Sequence, residues 1–159
     1  ALYHNHASHQ IGHAWALSHL ASVFKNMGSY VKARDLYKQS LIIYKKVSPS
    51  YVGTAWVYKD LGSVYVTLGE YEKATFLLNE SLKIYKKYFE EDHVYIAYVL
   101  IELGKLYGNT QQFDKAKKFL EKALTVVKKT YGDDHIETGH ILKELALISL
   151  KEKDLIHVK

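Results

Sequence analysis

The sequence repeats itself with a nearly fixed period. Equivalent leucines stand at Leu20, Leu61, Leu103 and Leu145, so that successive copies are 41, 42 and 42 residues apart. A unit of about 40 residues is too short to bury its own apolar face, and neighbouring units must therefore stack to form a common core. The period predicts a repeat array, an architecture whose stability comes from contacts between adjacent units and which commonly binds other molecules rather than catalysing reactions.

Each unit has the pattern of two helices joined by a short break. In the second unit, Tyr58, Leu61 and Tyr65 recur at three- and four-residue spacing, which places them on one helical face. Ala74 and Leu78 belong to a second set with the same spacing. The breaks between the two helices contain Gly28, Gly69 and the stretch Asn109-Thr110-Gln111. Glycine at such a break allows the first helix to end on a left-handed residue.

The repeats divide the chain into five segments. We predict a linker or the remnant of a preceding repeat over residues 1–11, full repeats over 12–52, 53–94 and 95–136, and a partial fourth repeat or capping helix over 137–159. The seventh helix is expected from about His135 to Lys151, with an eighth beginning near Lys153. Because the chain starts with Ala1 rather than Met, we interpret it as a piece of a longer protein.

The loops between units carry residues that favour helix starts. Asp134 and Glu137 have the spacing of a capping box, and Ser50 and Asp92 are expected to be N-caps. His93 occupies the same loop position as His135, one period earlier. Because a residue needed once for chemistry would not be copied, we expect these two histidines to pack at the helix starts.

Composition argues against several classes of function. The chain has no cysteine, no signal-peptide pattern and no apolar run near the roughly 20 residues that span a bilayer, so we expect a cytoplasmic protein without a membrane partner. It also has no phosphate-binding glycine loop and no nucleophile elbow, which predicts a non-catalytic protein without a cofactor. His9 and His13 have metal-ligand spacing, but no cysteine or acidic residue accompanies them, and we predict no metal site.

The positive charge comes almost entirely from lysine, which is typical of a solvated surface. The net charge is +5, and Arg34 is the only arginine. Recognition of bases relies on the bidentate guanidinium group, which lysine lacks. Nucleic-acid binding therefore remains an alternative that we do not favour.

The repeated motif resembles the tetratricopeptide repeat (TPR). That family places a large residue, Leu, Gly or Ala, and Tyr or Phe on its first helix, as at Leu100, Leu103, Gly104 and Tyr107. The period of about 42, rather than the common 34, is similar to the kinesin-light-chain-type subclass, as is the loop Tyr131-Gly132-Asp133-Asp134-His135. The resemblance implies an all-α fold, a right-handed superhelical solenoid of about seven helices, that acts as a protein-interaction module.

One departure from the subclass bears on specificity. The subclass commonly carries paired asparagines just before the Leu-Gly or Leu-Ala step of the first helix. The corresponding pairs here are Ser18-His19, Lys59-Asp60, Ile101-Glu102 and Lys143-Glu144. None of them is Asn-Asn, so the binding of motor-type cargo peptides does not carry over to this chain.

The resemblance also implies that the first helices line a concave groove. The predicted groove residues are Trp15, Ser18, Ser22, Lys25, Trp56, Lys59, Ser63, Tyr98, Ile101, Lys105, Asn109, His140 and Lys143. Trp and Tyr offer large contact area and lysine attracts carboxylates, so the expected partner is a protein or peptide that combines acidic groups with apolar anchors. The alternatives are that the tryptophans complete the core and that the lysines are a solvated face.

Two further functions stay open. The last unit is expected to expose an apolar edge that could stack on another copy and form a homo-oligomer, and this edge contains Leu145, Ile148, Leu150 and Leu155. A metal- or nucleic-acid-binding role through histidines or lysines is the less favoured alternative.

Overall fold

The computed structural model describes the backbone of residues 2–157 and the side chains of residues 8–155. All regular secondary structure in this part of the chain is α-helical. The helices are α1 (Leu2–Asn26), α2 (Tyr30–Val47), α3 (Val52–Thr67), α4 (Tyr71–Tyr88), α5 (Val94–Asn109), α6 (Phe113–Tyr131) and α7 (Ile136–His157). The prediction of an all-α chain of about seven helices is confirmed within the described residues.

Both ends of the described chain are more helical than the sequence pattern suggested. The segment 1–11, predicted as a linker or the remnant of a preceding repeat, is part of α1 from Leu2 onwards. α7 continues to His157, so the expectation of an eighth helix starting near Lys153 is wrong. Ala1, Val158 and Lys159 lie outside the described residues, and the boundaries of the repeats remain predictions.

α1 to α4 form one compact unit, and α5 to α7 form a second. In the first unit, α3 packs against α1, α2 and α4. In the second unit, α6 packs against α5 and α7, and α5 also touches α7. Each unit therefore buries its helices by the stacking of neighbouring hairpins that the period predicts.

The three turns within hairpins end their first helix in the same way. Gly28 and Gly69 have φ angles of +76° and +75°, and Gln111 takes the equivalent place with a φ of +59°. In each turn, the N–H group after this residue donates back to the carbonyl five positions earlier, as in a Schellman motif. These bonds are Ser29 to Phe24 at 2.8 Å, Glu70 to Tyr65 at 2.9 Å and Gln112 to Tyr107 at 2.9 Å.

Close helix packing explains the glycines on the first helices. A Cβ atom on Gly62 would lie 2.9 Å from the Leu78 side chain, and one on Gly104 would lie 2.6 Å from Cγ of Leu120. In the first unit, serine hydroxyls also join the two helices of each hairpin by hydrogen bonds. Ser81 on α4 donates to the carbonyl of Ala55 on α3 at 2.7 Å. The matching bond from Ser40 to Ala14 is 2.6 Å long.

Histidines, and not the predicted acidic residues, mark the starts of α5 and α7. Nδ1 of His93 accepts from the backbone N–H of Tyr95 at 3.2 Å, and Nδ1 of His135 accepts from Glu137 at the same distance. The two imidazoles also stack on Phe89 and Tyr131, with ring centroids 4.0 and 4.4 Å apart. The expected packing role of these histidines is confirmed.

The predicted acidic and serine caps are wrong. Asp92 is exposed and pairs with Lys129 instead of capping α5, and α7 begins after His135 rather than at an Asp134 cap. Residue Tyr51, not Ser50, precedes α3 and provides no side-chain cap.

Candidate functional site

An aromatic platform, formed by Trp15, His19 and Trp56, lies on the first unit. The imidazole of His19 stands between the two indoles, with its ring centroid 4.0 Å from that of Trp15 and 4.9 Å from that of Trp56. Trp15 is 56% exposed and Trp56 is half-buried, so the interpretation of Trp15 as a core residue is wrong. α1 carries Trp15 and His19, and α3 carries Trp56. The three rings meet because these two helices pack together.

His19 was absent from the predicted groove. The signal for it was in the sequence, because Trp15 and His19 are four residues apart and side chains at this spacing meet on a helix. What the sequence could not indicate is that Trp56, 37 residues later, lies on the other side of the same imidazole.

A charged cluster of Lys25, Lys59 and Asp60 lies on the same two helices. Nζ of Lys25 is 2.8 Å from Oδ1 of Asp60, and Nζ of Lys59 is 3.0 Å from the same oxygen. Asp60 is only 2% exposed. Burial acts to raise the pKa of its carboxyl, but the ammonium groups of Lys59 and Lys25 outweigh burial and hold that pKa below its ordinary value. Asp60 is therefore ionised at neutral pH and neutralises part of the charge of the two lysines.

The hydroxyl of Tyr37 is close enough to Asp60 to feel its charge. Tyr37 belongs to α2 and is fully buried, and its Oη makes no hydrogen bond of standard geometry with any described residue. Burial, followed by the negative charge of Asp60, raises the pKa of this phenol, whereas Ser22 acts in the opposite direction. The tyrosine is therefore neutral.

The remaining groove residues predicted on the first unit differ in their exposure. Ser18 is fully buried, and its hydroxyl donates to the carbonyl of Trp15 at 2.7 Å. Ser22 and Ser63 are half-buried. Ser18 thus lies below the surface that a partner could touch, whereas the other two serines border it.

On the second unit, four predicted groove residues belong to α5, and they are Tyr98, Ile101, Lys105 and Asn109. Tyr98 is half-buried, with its hydroxyl 3.3 Å from that of Tyr131. Ile101 is buried and belongs to the core of the unit. Lys105 is half-buried and pairs with Glu102 at 3.2 Å.

The last three predicted groove residues are exposed. Asn109 accepts a hydrogen bond from Lys151 at 3.2 Å. His140 lies 3.7 Å from Glu137 on the same helix, and Lys143 is exposed one turn later. Three of the predicted groove lysines, Lys25, Lys59 and Lys105, thus pair with acidic residues of the chain itself. The spacing of the groove residues did not indicate these pairs.

The described residues form neither a metal-ligand cluster nor a membrane-spanning helix. No three His, Cys, Asp or Glu side chains are grouped as metal ligands in the part of the chain whose side chains are described, a part that includes His9 and His13 but not His4 or His6. None of the helices between residues 2 and 157 combines the length and the apolar character that a bilayer crossing requires.

A protein-family model matches most of the chain. The family model described as tetratricopeptide repeat matches residues 12–87 and 95–155. No curated protein has a sequence that matches this chain.

Several solved structures have a similar fold. BtubC (BKLC) from P. vanneervenii aligns with a TM-score of 0.74 and 21% identity over 85% of this chain and 54% of its own. The nearly identical TPR-like repeats of a candidate kinesin light chain from Podosopora anserina align with a TM-score of 0.73 and 22% identity, over 84% of this chain and 64% of theirs. This chain therefore spans less than two thirds of either structure.

A third similar structure contains a ligand. The first TPR of Spaghetti (RPAP3), bound to the HSP90 peptide SRMEEVD, aligns with a TM-score of 0.61 and 18% identity over 88% of this chain and 93% of its own. At such identities the likeness shows the fold alone, an all-α solenoid of helical hairpins.

Proposed function

Because the chain belongs to the tetratricopeptide repeat family, we propose that it is a non-catalytic module that binds a protein or peptide segment on the face formed by the first helices of its repeats. The observation that carries this proposal is the aromatic platform. Its three rings are contributed by the first helices of two successive repeats, and its outer indole is more than half exposed.

The platform has the chemistry of a binding anchor. Tryptophan supplies a large contact area with few rotamers to fix, which is why it dominates the energetics of many interfaces. Covering Trp15 would remove apolar surface from water and so favour association. His19, which also contacts Trp56, holds the ring of Trp15 from one side, so little side-chain entropy remains to be lost on binding.

The structure of a related fold with a bound peptide supports the class of partner. The first TPR of Spaghetti (RPAP3) is bound to a peptide of HSP90. For this chain, we propose that apolar or aromatic side chains of the partner provide the anchors on the first unit. The predicted preference for acidic groups is less well supported there, because Asp60 already contacts both Lys25 and Lys59.

The test is capture of partners by the natural chain and by a Trp15→Ala/Trp56→Ala double variant, with the bound proteins identified by mass spectrometry. We expect the double variant to lose the specific partners while it still unfolds cooperatively. Phe76→Ala is the matched control, because Phe76 is also an exposed aromatic residue but belongs to a second helix, α4. If the double variant and the control capture the same proteins as the natural chain, the platform is not the binding site.

Self-association is the second candidate function, and the exposed face of α7 favours it. Leu142, Leu147 and Leu150 are exposed on this helix. Ala146, which stands one period after Gly104, is exposed as well, whereas Gly62 and Gly104 are covered by the second helix of their hairpin. Of the edge residues predicted from the sequence, Ile148 is buried and its side chain approaches Gly108.

A further inference from the structure

We propose that Asp60 is a specificity-determining residue, an internal carboxylate that occupies Lys25 and Lys59 and so excludes acidic ligands from the first unit. A segment bound on this face is then recognised by its apolar or aromatic side chains and not by carboxylates. This inference rests on the proposed function, since it names the class of partner that the same face accepts.

The geometry of the cluster is that of a site already filled. Both ammonium groups lie within hydrogen-bonding distance of Oδ1 of Asp60, at 2.8 and 3.0 Å. The side chains of Lys25 and Lys59 are only 23% and 17% exposed, so most of each side chain is turned away from solvent. A carboxylate from a ligand would have to displace one that the chain itself holds in place, and an intramolecular group competes at a high effective concentration.

The charge of Asp60 is stable under ordinary conditions. Two cations surround its carboxylate, and they hold its pKa below the usual value in spite of its burial. If the carboxylate were replaced by a neutral amide, two ammonium groups would remain on one face with no anion between them. Such a pair attracts carboxylates, and each contact would be a charge-assisted hydrogen bond.

The cluster is next to the aromatic platform. Lys59 follows Trp56 by three residues, which is a rise of ~5 Å along α3. Lys25 follows Trp15 by ten residues, or ~15 Å along α1. A peptide anchored on the platform and running along these helices would therefore pass the cluster, so the state of the two lysines bears on which peptides are accepted.

The experiment compares the natural chain with Asp60→Asn. The probes are the acidic peptide SRMEEVD and a neutral counterpart, SQMQQVN with an acetylated N-terminus and an amidated C-terminus, and binding is measured by calorimetry and by the fluorescence of Trp15 and Trp56, the two tryptophans of the chain. We expect Asp60→Asn to raise the affinity for SRMEEVD by about tenfold or more, with a gain that shrinks as salt is added. The affinity for the neutral SQMQQVN should not change.

Asp92→Asn is the matched control. It removes the same charge from an aspartate that also pairs with a lysine, Lys129, but this pair is exposed and lies on the second unit. It should leave the affinity for both peptides within twofold of the natural chain. An equal gain from Asp92→Asn, an equal gain for the neutral peptide, or a folded Asp60→Asn variant without any gain would each overturn the proposal.

The natural chain provides a test that does not depend on the folding of Asp60→Asn. It should bind the acidic peptide no more tightly than the neutral one. A preference of more than fivefold for SRMEEVD that Lys25→Gln abolishes would show that this lysine binds acidic ligands, and the proposal would be wrong.

Failure of this proposal is distinguishable from failure of the proposed function. The two tryptophan substitutions test partner capture, whereas the peptide affinities test the state of the lysines. A chain that captures partners through the platform but prefers SRMEEVD would contradict only the exclusion of acidic ligands. A chain that captures the same partners without its tryptophans, yet gains affinity for SRMEEVD on Asp60→Asn, would contradict only the platform.

Discussion

At the scale of single residues, Asp60 shows that two adjacent charged residues in a sequence do not reveal which ion pairs they form in the structure. The step Lys59-Asp60 stands out in the sequence only because the subclass that the chain resembles commonly has asparagines there. The structure adds Lys25 from another repeat, and the three side chains together bury one carboxylate between two cations. Stability should therefore depend on the charge of Asp60.

The pH dependence of this contribution has a definite sign. Because the folded-state pKa of Asp60 is lowered, its stabilisation is fully present above the unfolded-state pKa of about 3.9 and is lost as the pH falls through the folded-state value. Asp60→Asn lacks this contribution and should be roughly 3 kcal/mol less stable at pH 7, the scale of breaking a buried ion pair. Urea unfolding of both chains at pH 7 and at pH 2.5 should show a smaller difference at the lower pH. A difference that grows on acidification would contradict the assignment.

Gln111 is the second residue with a clear energetic consequence. It has a positive φ where the two preceding turns have glycine, and an L-residue with a Cβ atom is strained there by roughly 1 kcal/mol. Gln111→Gly should therefore raise the free energy of unfolding by about 1 kcal/mol, as measured by urea denaturation. The reverse change at the equivalent turn, Gly69→Ala, should lower it by a similar amount. Stabilisation by both changes, or by neither, would mean that these turns are not equivalent.

At the scale of helices, the repeated glycines record how closely the two helices of a hairpin approach. The Cβ atom of Gly104→Ala would meet Cγ of Leu120 at 2.6 Å, so we expect a loss of about 1–3 kcal/mol in the free energy of unfolding. Gly62→Leu should lower the free energy of unfolding further, because a larger side chain would meet Leu78. The matched control is Gly139→Ala, since Gly139 is on α7 and an added methyl group there would have no described atom of a neighbouring element within 4 Å.

The control should behave in the opposite way. Alanine has the higher helix propensity, so Gly139→Ala should stabilise the chain by up to about 1 kcal/mol. Thermal unfolding of the three variants distinguishes packing from propensity. If Gly104→Ala melts at or above the temperature of the natural chain, close approach is not the reason for the glycine.

The helix starts show a limit of local motifs. Residues Asp92 and Asp134 precede the histidines by one position, and both types of residue can accept a hydrogen bond from a helix N-terminus. In the structure the histidines are the caps, and each also stacks on an aromatic ring, His93 on Phe89 and His135 on Tyr131. A propensity scale for caps contains no such ring contact, and it therefore favoured the aspartates.

At the scale of the whole molecule, the exposed face of α7 leads to a prediction about association. Apolar side chains on a helix face that resembles the buried faces of α3 and α5 favour packing against another helix. If a second copy provides that helix, the mass measured by light scattering should rise with concentration. Leu142→Lys with Leu150→Lys should abolish the rise, because a charged group would have to be buried in the contact.

Ile42→Lys provides the control for this prediction. Ile42 is exposed on α2, so the substitution adds the same charge to a different apolar surface. It should leave the concentration dependence of the natural chain unchanged. A natural chain that keeps the mass of one copy at all concentrations would eliminate self-association through α7.

Periodicity was enough to predict the helices apart from the ends of α1 and α7, their pairing into hairpins and the positions of the turns. These features follow from spacing along the chain, because a helical face repeats every three or four residues and a stacked unit repeats with its neighbours. It also placed Trp15, Trp56, Lys25 and Lys59 on the first helices, where the structure has them. The role of these residues in binding a partner stays a prediction.

Only the tertiary structure decided which of those side chains meet. His19 lies between tryptophans from two repeats, and Asp60 contacts lysines from two helices. Packing brings these groups together although His19 and Trp56, and likewise Lys25 and Asp60, are 35 or more positions apart in the chain. Periodicity is a local property and contains no information on such distant pairs. Whether a lysine faces solvent or a buried carboxylate depends on those contacts, and so does the chemistry that the surface offers to a partner.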